Sequence, residues 1–377
     1  MQLRPAARLA RRSRRSEPVG LSATLSAALA VVLLLAVACG ASPASPVAST
    51  GPTGSDGLAG PSAPSAKSAA SPARGSDASP AASAGPPATA TTPVASVPHL
   101  TISLDPRRLP VATTRAVALA DGPAVLLVGG LTSAATVGTI LRIPVGSGPI
   151  AAAGQLAHPV HDAAGATVGG ANLVFAGGAT TQYSWVQKVA GAGLASVIGR
   201  LPAPRADLGA AVVGAEAIVV GGGAGGGADP RVLATADGIH FRLVAQLPIA
   251  VRYGAVAAIG GLVFVVGGTA ASGDVTAIQV VDVAAGSARI VGRLGSSLSH
   301  AAAVAIGGAV VVAGGRHLGR ALDAVLVIDP SSGGAQLAGR LPVAVSDAAA
   351  VVVDGVAYLV GGEGAHPLST IVLIAAS

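Results

Sequence analysis

Short apolar runs separated by glycine turns occupy the chain from about residue 100 onward. Every second run closes on a double glycine: Gly129-Gly130, Gly177-Gly178, Gly221-Gly222, Gly267-Gly268, Gly314-Gly315 and Gly361-Gly362. The first glycines lie 48, 44, 46, 47 and 47 residues apart. A second marker is a leucine, usually after Arg or Gln and often before Pro: Leu109, Leu156, Leu201, Leu247, Leu294 and Leu341. Its steps are 47, 45, 46, 47 and 47. Two markers that keep one period of about 46 residues define an internal repeat array.

The unit from Pro248 to Leu294 shows what each repeat builds. Gly254–Ile259 is a first apolar run, Gly260-Gly261 turns the chain, and Leu262–Val266 is a second run ending at the double glycine. A loop leads to a third run, Ala277–Asp282, and a turn at Ala285-Gly286 leads to a fourth, Ala288–Val291. Short β-rich runs joined by glycine turns predict a four-stranded antiparallel meander. The first two runs are apolar throughout, as in strands buried on both faces, while the outer two alternate more. Six such sheets predict an all-β fold, a six-bladed β-propeller. One leucine marker, Leu109, precedes any double glycine, and none follows the last. Leu100–Leu104 is therefore expected to supply the outer strand of the sixth blade, which removes the open edge of a linear array.

These units resemble Kelch repeats over roughly residues 100–377. The double glycine after strand two, the pairs Val281-Asp282 and Ile328-Asp329, and the Leu-Pro at blade ends carry the resemblance. The family's tryptophan after that Asp is replaced by Ala288 and Ala335, so the repeats are degenerate.

The N-terminal part reads differently. Residues 1–38 combine an arginine-rich start with an uncharged stretch from Leu21 to Ala38, a signal or membrane-anchor pattern. The junction Leu35-Ala-Val-Ala-Cys39 resembles a bacterial lipobox, which implies cleavage before Cys39 and its lipidation; an uncleaved anchor or ordinary secretion is the alternative. Residues 39–98 are almost all Ala, Ser, Pro, Gly and Thr with hardly a large apolar residue, a composition that cannot bury enough surface to offset chain entropy. As a random-coil tether they would reach about 40–45 Å. Every version places residues 99–377 outside the cytoplasm, on the outer face of the cell membrane or secreted.

Charge adds one exclusion. Removing the six arginines and single Glu17 of residues 1–38 leaves 17 basic against 16 acidic residues. Nucleic-acid binding needs clustered cations against phosphates, and no such cluster remains. Cys39 is the one cysteine, so no internal disulfide, no Cys-based zinc site and no thioether-dependent copper radical chemistry of the galactose-oxidase type can form. No cofactor, no metal and a monomeric state are expected.

Candidate chemistry follows from topology, since the loop entering strand one and the loop joining strands two and three share a face. The strand-one entries carry Arg115, His161, Asp162, Arg205, Asp207, Arg252, Tyr253, Ser299, His300, Ser346 and Asp347. The second set of loops adds Gln182, Tyr183, Trp185, Asp229, Arg231, Asp274, Arg316, His317, Arg320, Glu363 and His366. A mouth of arginines, carboxylates and imidazoles suits an anionic or polyhydroxyl ligand, and an exposed Trp185 suits a sugar or protein. The plainer alternative is that these groups solvate the propeller's end or pair with one another. The functional expectation is binding of a cell-envelope protein or glycan, with membrane attachment through the N-terminus. The alternative is a small-sugar enzyme resembling the Kelch-type sialic-acid mutarotases, with Arg205, Arg252 and His300 at the mouth.

Overall fold

The computed structural model describes residues 98–190 and 192–377; the expected leader, Cys39 and all of the tether before Pro98 lie outside them. The described chain is all-β, built on six four-stranded antiparallel sheets, five of them meanders from one repeat and the sixth completed by an N-terminal strand. Blade four shows the rule: Ala255–Ile259, Leu262–Val266, Ala277–Asp282 and Ser287–Arg293 pair in that order. The first strands of blades one, two, three, five and six are Val117–Ala120, Ala164–Val168, Ala206–Val213, Ala302–Ile306 and Ala349–Val353. Blade six is completed by Leu100–Leu104, which pairs antiparallel with Ile371–Ala376 from Leu100↔Ala376 to Leu104↔Val372. Strands from the two ends of the repeat array thus share one sheet, and the ring closes.

The hydrophobic core lies between blades rather than at one centre. Six buried clusters form, each from residues of two neighbouring blades. The closing cluster sets Val125, Leu127 and Ile143 of blade one against Tyr358, Val360 and Ile371 of blade six. Second strands are buried throughout, as in Ala124–Val128. First strands are only partly buried, alternating in Val117–Ala120 and Ala164–Val168, because one side of each borders a cavity of about 160 Å³ between all six. Small side chains, Ala118, Ala164, Ala210 and Ala303 among them, are what that axis can hold.

The double glycines bind the blades together. The N–H of Gly130, Gly177, Gly222, Gly268, Gly315 and Gly362 donates to the carbonyl of Val160, Arg205, Val251, Leu298, Val345 and Thr113 respectively, each in the next blade, at 2.7–3.0 Å. A Cβ on the preceding glycine would stand no more than 2.6 Å from that same carbonyl, as Gly129 would from Val160. The cycle corrects one register. In blade two it is Gly177 that plays the second glycine, so Ala176, at φ 57°, holds the first-glycine position. Counted from Ala176 the steps become 47, 45, 46, 47 and 47, identical to those of the leucines. A small residue in the left-handed region had replaced the glycine, and Gly178 disguised the shift.

Glycine also sits two residues before most marker leucines. Strand four of the first five blades carries a β-bulge against strand three. At Gly154, Gly199 and Gly292 a Cβ would collide with the carbonyl of Gly193, Gly238 and Gly333 in the following blade. In the first of these junctions Gly193–Leu194 also pairs in parallel with Gly154–Gln155, an extra edge strand on blade one.

Candidate functional site

The residue two before the start of strand one, or the second residue of that strand in blade three, takes a positive φ in every blade. These are Arg115, Asp162, Asp207, Tyr253, His300 and Asp347, with φ between 54° and 63°. Each N–H donates to the carbonyl of its counterpart in the preceding blade, at 2.8–3.0 Å, from Arg115 to Asp347 around to Asp347 to His300. Six residues therefore form a closed circle of backbone hydrogen bonds at one end of the alanine-lined axis. Asp and His are among the non-glycine residues most tolerant of this conformation, and they fill four of the six places. Part of the polar character anticipated at the mouth is thus a backbone requirement.

The side chains above this circle are tied to each other. Arg115 Nη1 lies 3.2 Å from Asp162 and its Nε 3.8 Å from Asp347, its two neighbours in the circle. Arg252 pairs with Asp207. Arg316 reaches Asp347 at 2.8 Å, Glu363 at 2.9 Å and the Ser346 hydroxyl at 2.9 Å. Ser299 donates to Asp274 at 3.0 Å, and His300 Nδ1 lies 2.9 Å from the Ser299 hydroxyl. Tyr253 stacks on His300 at 3.9 Å. His161 Nδ1 lies 2.8 Å from the Thr136 hydroxyl. All three circle carboxylates are nearly without solvent contact, while the arginines keep about a quarter of their side-chain surface exposed.

Electrostatics follows from this packing. Burial, reinforced by the charges of Asp207 and Asp347, pushes Asp162 up to about 7; Arg115 opposes the shift without cancelling it. Burial lowers His161 and His300 below the ordinary imidazole value, with Arg115 adding to the effect on His161. Burial and then Asp207 raise the Tyr253 phenol, which stays protonated. At neutral pH the mouth holds neutral rings, arginines paired with carboxylates, and an Asp162 shared between its two protonation states.

Arg205 lies apart from the circle, contrary to the expectation that it faces the mouth. It has no exposed surface, because it stands where other blades carry Thr113, Val160, Val251, Leu298 and Val345. Its Nη1 donates to the carbonyls of Gly221 and Arg231 at 3.2 and 3.1 Å, and Nη2 lies 2.9 Å from Asp229. Asp229 itself replaces Val137, Tyr183, Val275, Leu322 and Leu368 of the other blades, as its N–H bond to the second glycine shows. A buried cation and its counter-charge have together replaced an uncharged pair. Despite partial burial, Arg231 and Arg205 hold the Asp229 carboxyl below its ordinary value.

Trp185 is the first residue of a strand, Trp185–Val189, rather than a loop residue. Its half-buried indole stacks with His158 at 3.7 Å and Tyr183 at 4.4 Å, with Arg200 5.8 Å from the ring, so its contacts are local. Gln182, Arg320 and His366 remain exposed at loop tips. Two buried residues escaped sequence reasoning. Gln187 and Gln279, in the third strands of blades two and four, each bond both the N–H and the C=O of one residue, His158 and Ile249, in the loop entering their blade. A glutamine inside an otherwise apolar run was the available clue. Among the described residues no cluster of three or more His, Cys, Asp or Glu is arranged to hold a metal.

No protein-family model matches the chain, and no curated protein matches it. Solved structures do. One, titled "Structure of YjhT", aligns with a TM-score of 0.62 over 72% of this chain and 97% of its own, at 16% identity. The likeness is one of fold. It supports the propeller and carries no residue role across.

Proposed function

We propose that this chain is a non-catalytic binding or scaffold protein that presents the face bearing the six-residue circle to a cell-envelope protein or glycan. One observation supports this over catalysis: the mouth's charges are already spent on one another. An enzyme acting on an anionic sugar needs a cation free to hold the carboxylate and a group free to move a proton. Here Arg115, Arg252 and Arg316 each hold a circle carboxylate, and Arg205 is buried. What remains is a pre-organised polar face with guanidinium edges about a quarter exposed, suited to hydrogen-bonding a partner without rearranging. In this reading the repeats are degenerate Kelch units, and the propeller is held outside the membrane by a lipidated Cys39 and the segment 39–98.

The test is a thermal-shift series on the full chain with envelope glycan fragments, sialic acids and neutral sugars, repeated with Arg252→Ala. A native-state ligand at a hundredfold excess over its Kd adds about 2.7 kcal/mol. The expected outcome is a rise with an envelope glycan, or with a purified envelope protein, and none with sialic acid. A sialic-acid shift abolished in Arg252→Ala, together with anomer exchange by NMR, would overturn the reading in favour of a sugar enzyme.

A further inference from the structure

Six equivalent compartments lie between the loop entering each blade and that blade's third strand, and they are filled differently. The deciding third-strand position pairs with the residue two before the double-glycine position. It carries Leu141, Gln187, Leu233, Gln279, Leu326 and Val372 in blades one to six. In blades two and four the glutamine amide spans the compartment. Its oxygen accepts from the loop N–H at 2.9 and 2.8 Å, and its nitrogen donates to the same residue's carbonyl at 2.9 and 3.0 Å. In blade three the Arg205–Asp229 pair occupies the space.

Blades one and five have leucine there, and each contains a cavity, of about 260 and 300 Å³. The loop residue two beyond the marker leucine, equivalent to His158 and Ile249, is Val111 in blade one and Ser296 in blade five. Both line their cavities. In blade one the Val111 carbonyl is taken by the Thr113 hydroxyl at 3.0 Å. In blade five no hydrogen bond from the described residues reaches the N–H or C=O of Ser296. The blade-five cavity thus combines the solvent-exposed N–H and C=O of Ser296 at its rim, which no described residue bonds, with an apolar interior of Leu322, Leu326 and Ala335. At the same rim His317 Nδ1 lies 3.0 Å from the Ser297 carbonyl, to which it can donate.

We propose that this blade-five cavity is a binding site for an aliphatic primary carboxamide. The protein supplies the template: in blades two and four its own carboxamides satisfy the same loop position. A primary amide carries an oxygen and an N–H on one side, which matches the N–H and C=O of a single loop residue, as Gln187 and Gln279 demonstrate. A branched alkyl group then fills the apolar interior, and neither polar group is left unpaired. The site is separate from the circle of six, so it stands or falls independently of the mouth reading.

The probe is 4-methylpentanamide, added to the full chain and followed by saturation-transfer NMR. Its methyl ester analogue, which has no donor, is the control. The amide is expected to bind at least tenfold tighter than the ester. Leu326→Gln, which installs the internal amide, should abolish binding, as should Ala324→Leu, which fills the cavity; the second variant decides if the first does not keep its melting temperature. A peptide Ala-Gln-Ala with an acetylated N-terminus and free carboxylate separates two sources. Tighter binding than the free amide points to a partner's side chain, and weaker binding to a small molecule. No binding of the amide, equal binding of the ester, or binding unchanged in a folded variant would overturn the proposal.

Discussion

Asp162 concentrates the residue-scale physics of the mouth. Its carboxyl is pushed up to about 7, mainly by burial, although Arg115 stands 3.2 Å away. The native state therefore keeps a proton that the unfolded chain, with an ordinary value of 3.8, has released. Asp162 contributes stability that is fully present below about pH 4 and is lost as pH rises toward about 7. Asp162→Asn keeps the shape of the protonated side chain, so urea midpoints at pH 4, 5.5 and 7 should fall less steeply in the variant. Identical slopes would refute this account. The double glycines offer a second test at the same scale. Gly129→Ala would set a Cβ 2.6 Å from the Val160 carbonyl at a φ of +65°, and should cost at least about 2 kcal/mol by urea unfolding. Ala176→Gly relieves a left-handed alanine while removing one buried methyl, two effects of about 1 kcal/mol each and opposite sign. It should change stability by less than about 1 kcal/mol, and a large loss would show that the register assignment is wrong.

Closure is decided by a single element. Leu100–Leu104 covers the outer edge of Ile371–Ala376, and Leu109 behind it donates its N–H to Ser369 as other marker leucines do within their own blades. Deleting residues 100–104 would uncover a strand edge able to pair with another chain. The expected result is a lower melting temperature and concentration-dependent association in sedimentation; a monomer of unchanged melting temperature would refute the role. The propeller itself was legible from the two periods, because a repeated pattern of runs and glycine turns has few ways to bury its faces. The bulge glycines of strand four were not, since their cause is a carbonyl in the next blade. Nor was the fate of Arg205, whose buried position depends on Asp229 arriving from the loop between strands two and three.

At the scale of the whole molecule the described residues form a ring joined by two opposed cycles of backbone hydrogen bonds. One runs from the double glycines to the next blade and the other from the circle residues to the preceding blade. Around such a ring the barriers to change lie in the junctions. The proposed placement in the cell rests on residues outside the propeller. If Cys39 is lipidated, labelled palmitate should enter the wild-type chain and not Cys39→Ser, and the variant should leave the membrane fraction. Equal labelling of both would exclude this attachment.

Periodicity alone determined the number of blades, the strand order within each and the strand that closes the ring, because those depend on the spacing of apolar runs and turns along one chain. The same reading placed polar residues at one end of the axis. Only the tertiary structure decided what they do there. Whether a carboxylate is free, paired or protonated depends on which side chains other blades bring within a few ångströms, and on how much water is excluded. Whether a compartment is closed by Gln279 or left open beside Leu326 depends likewise on one side chain meeting a loop some thirty residues away.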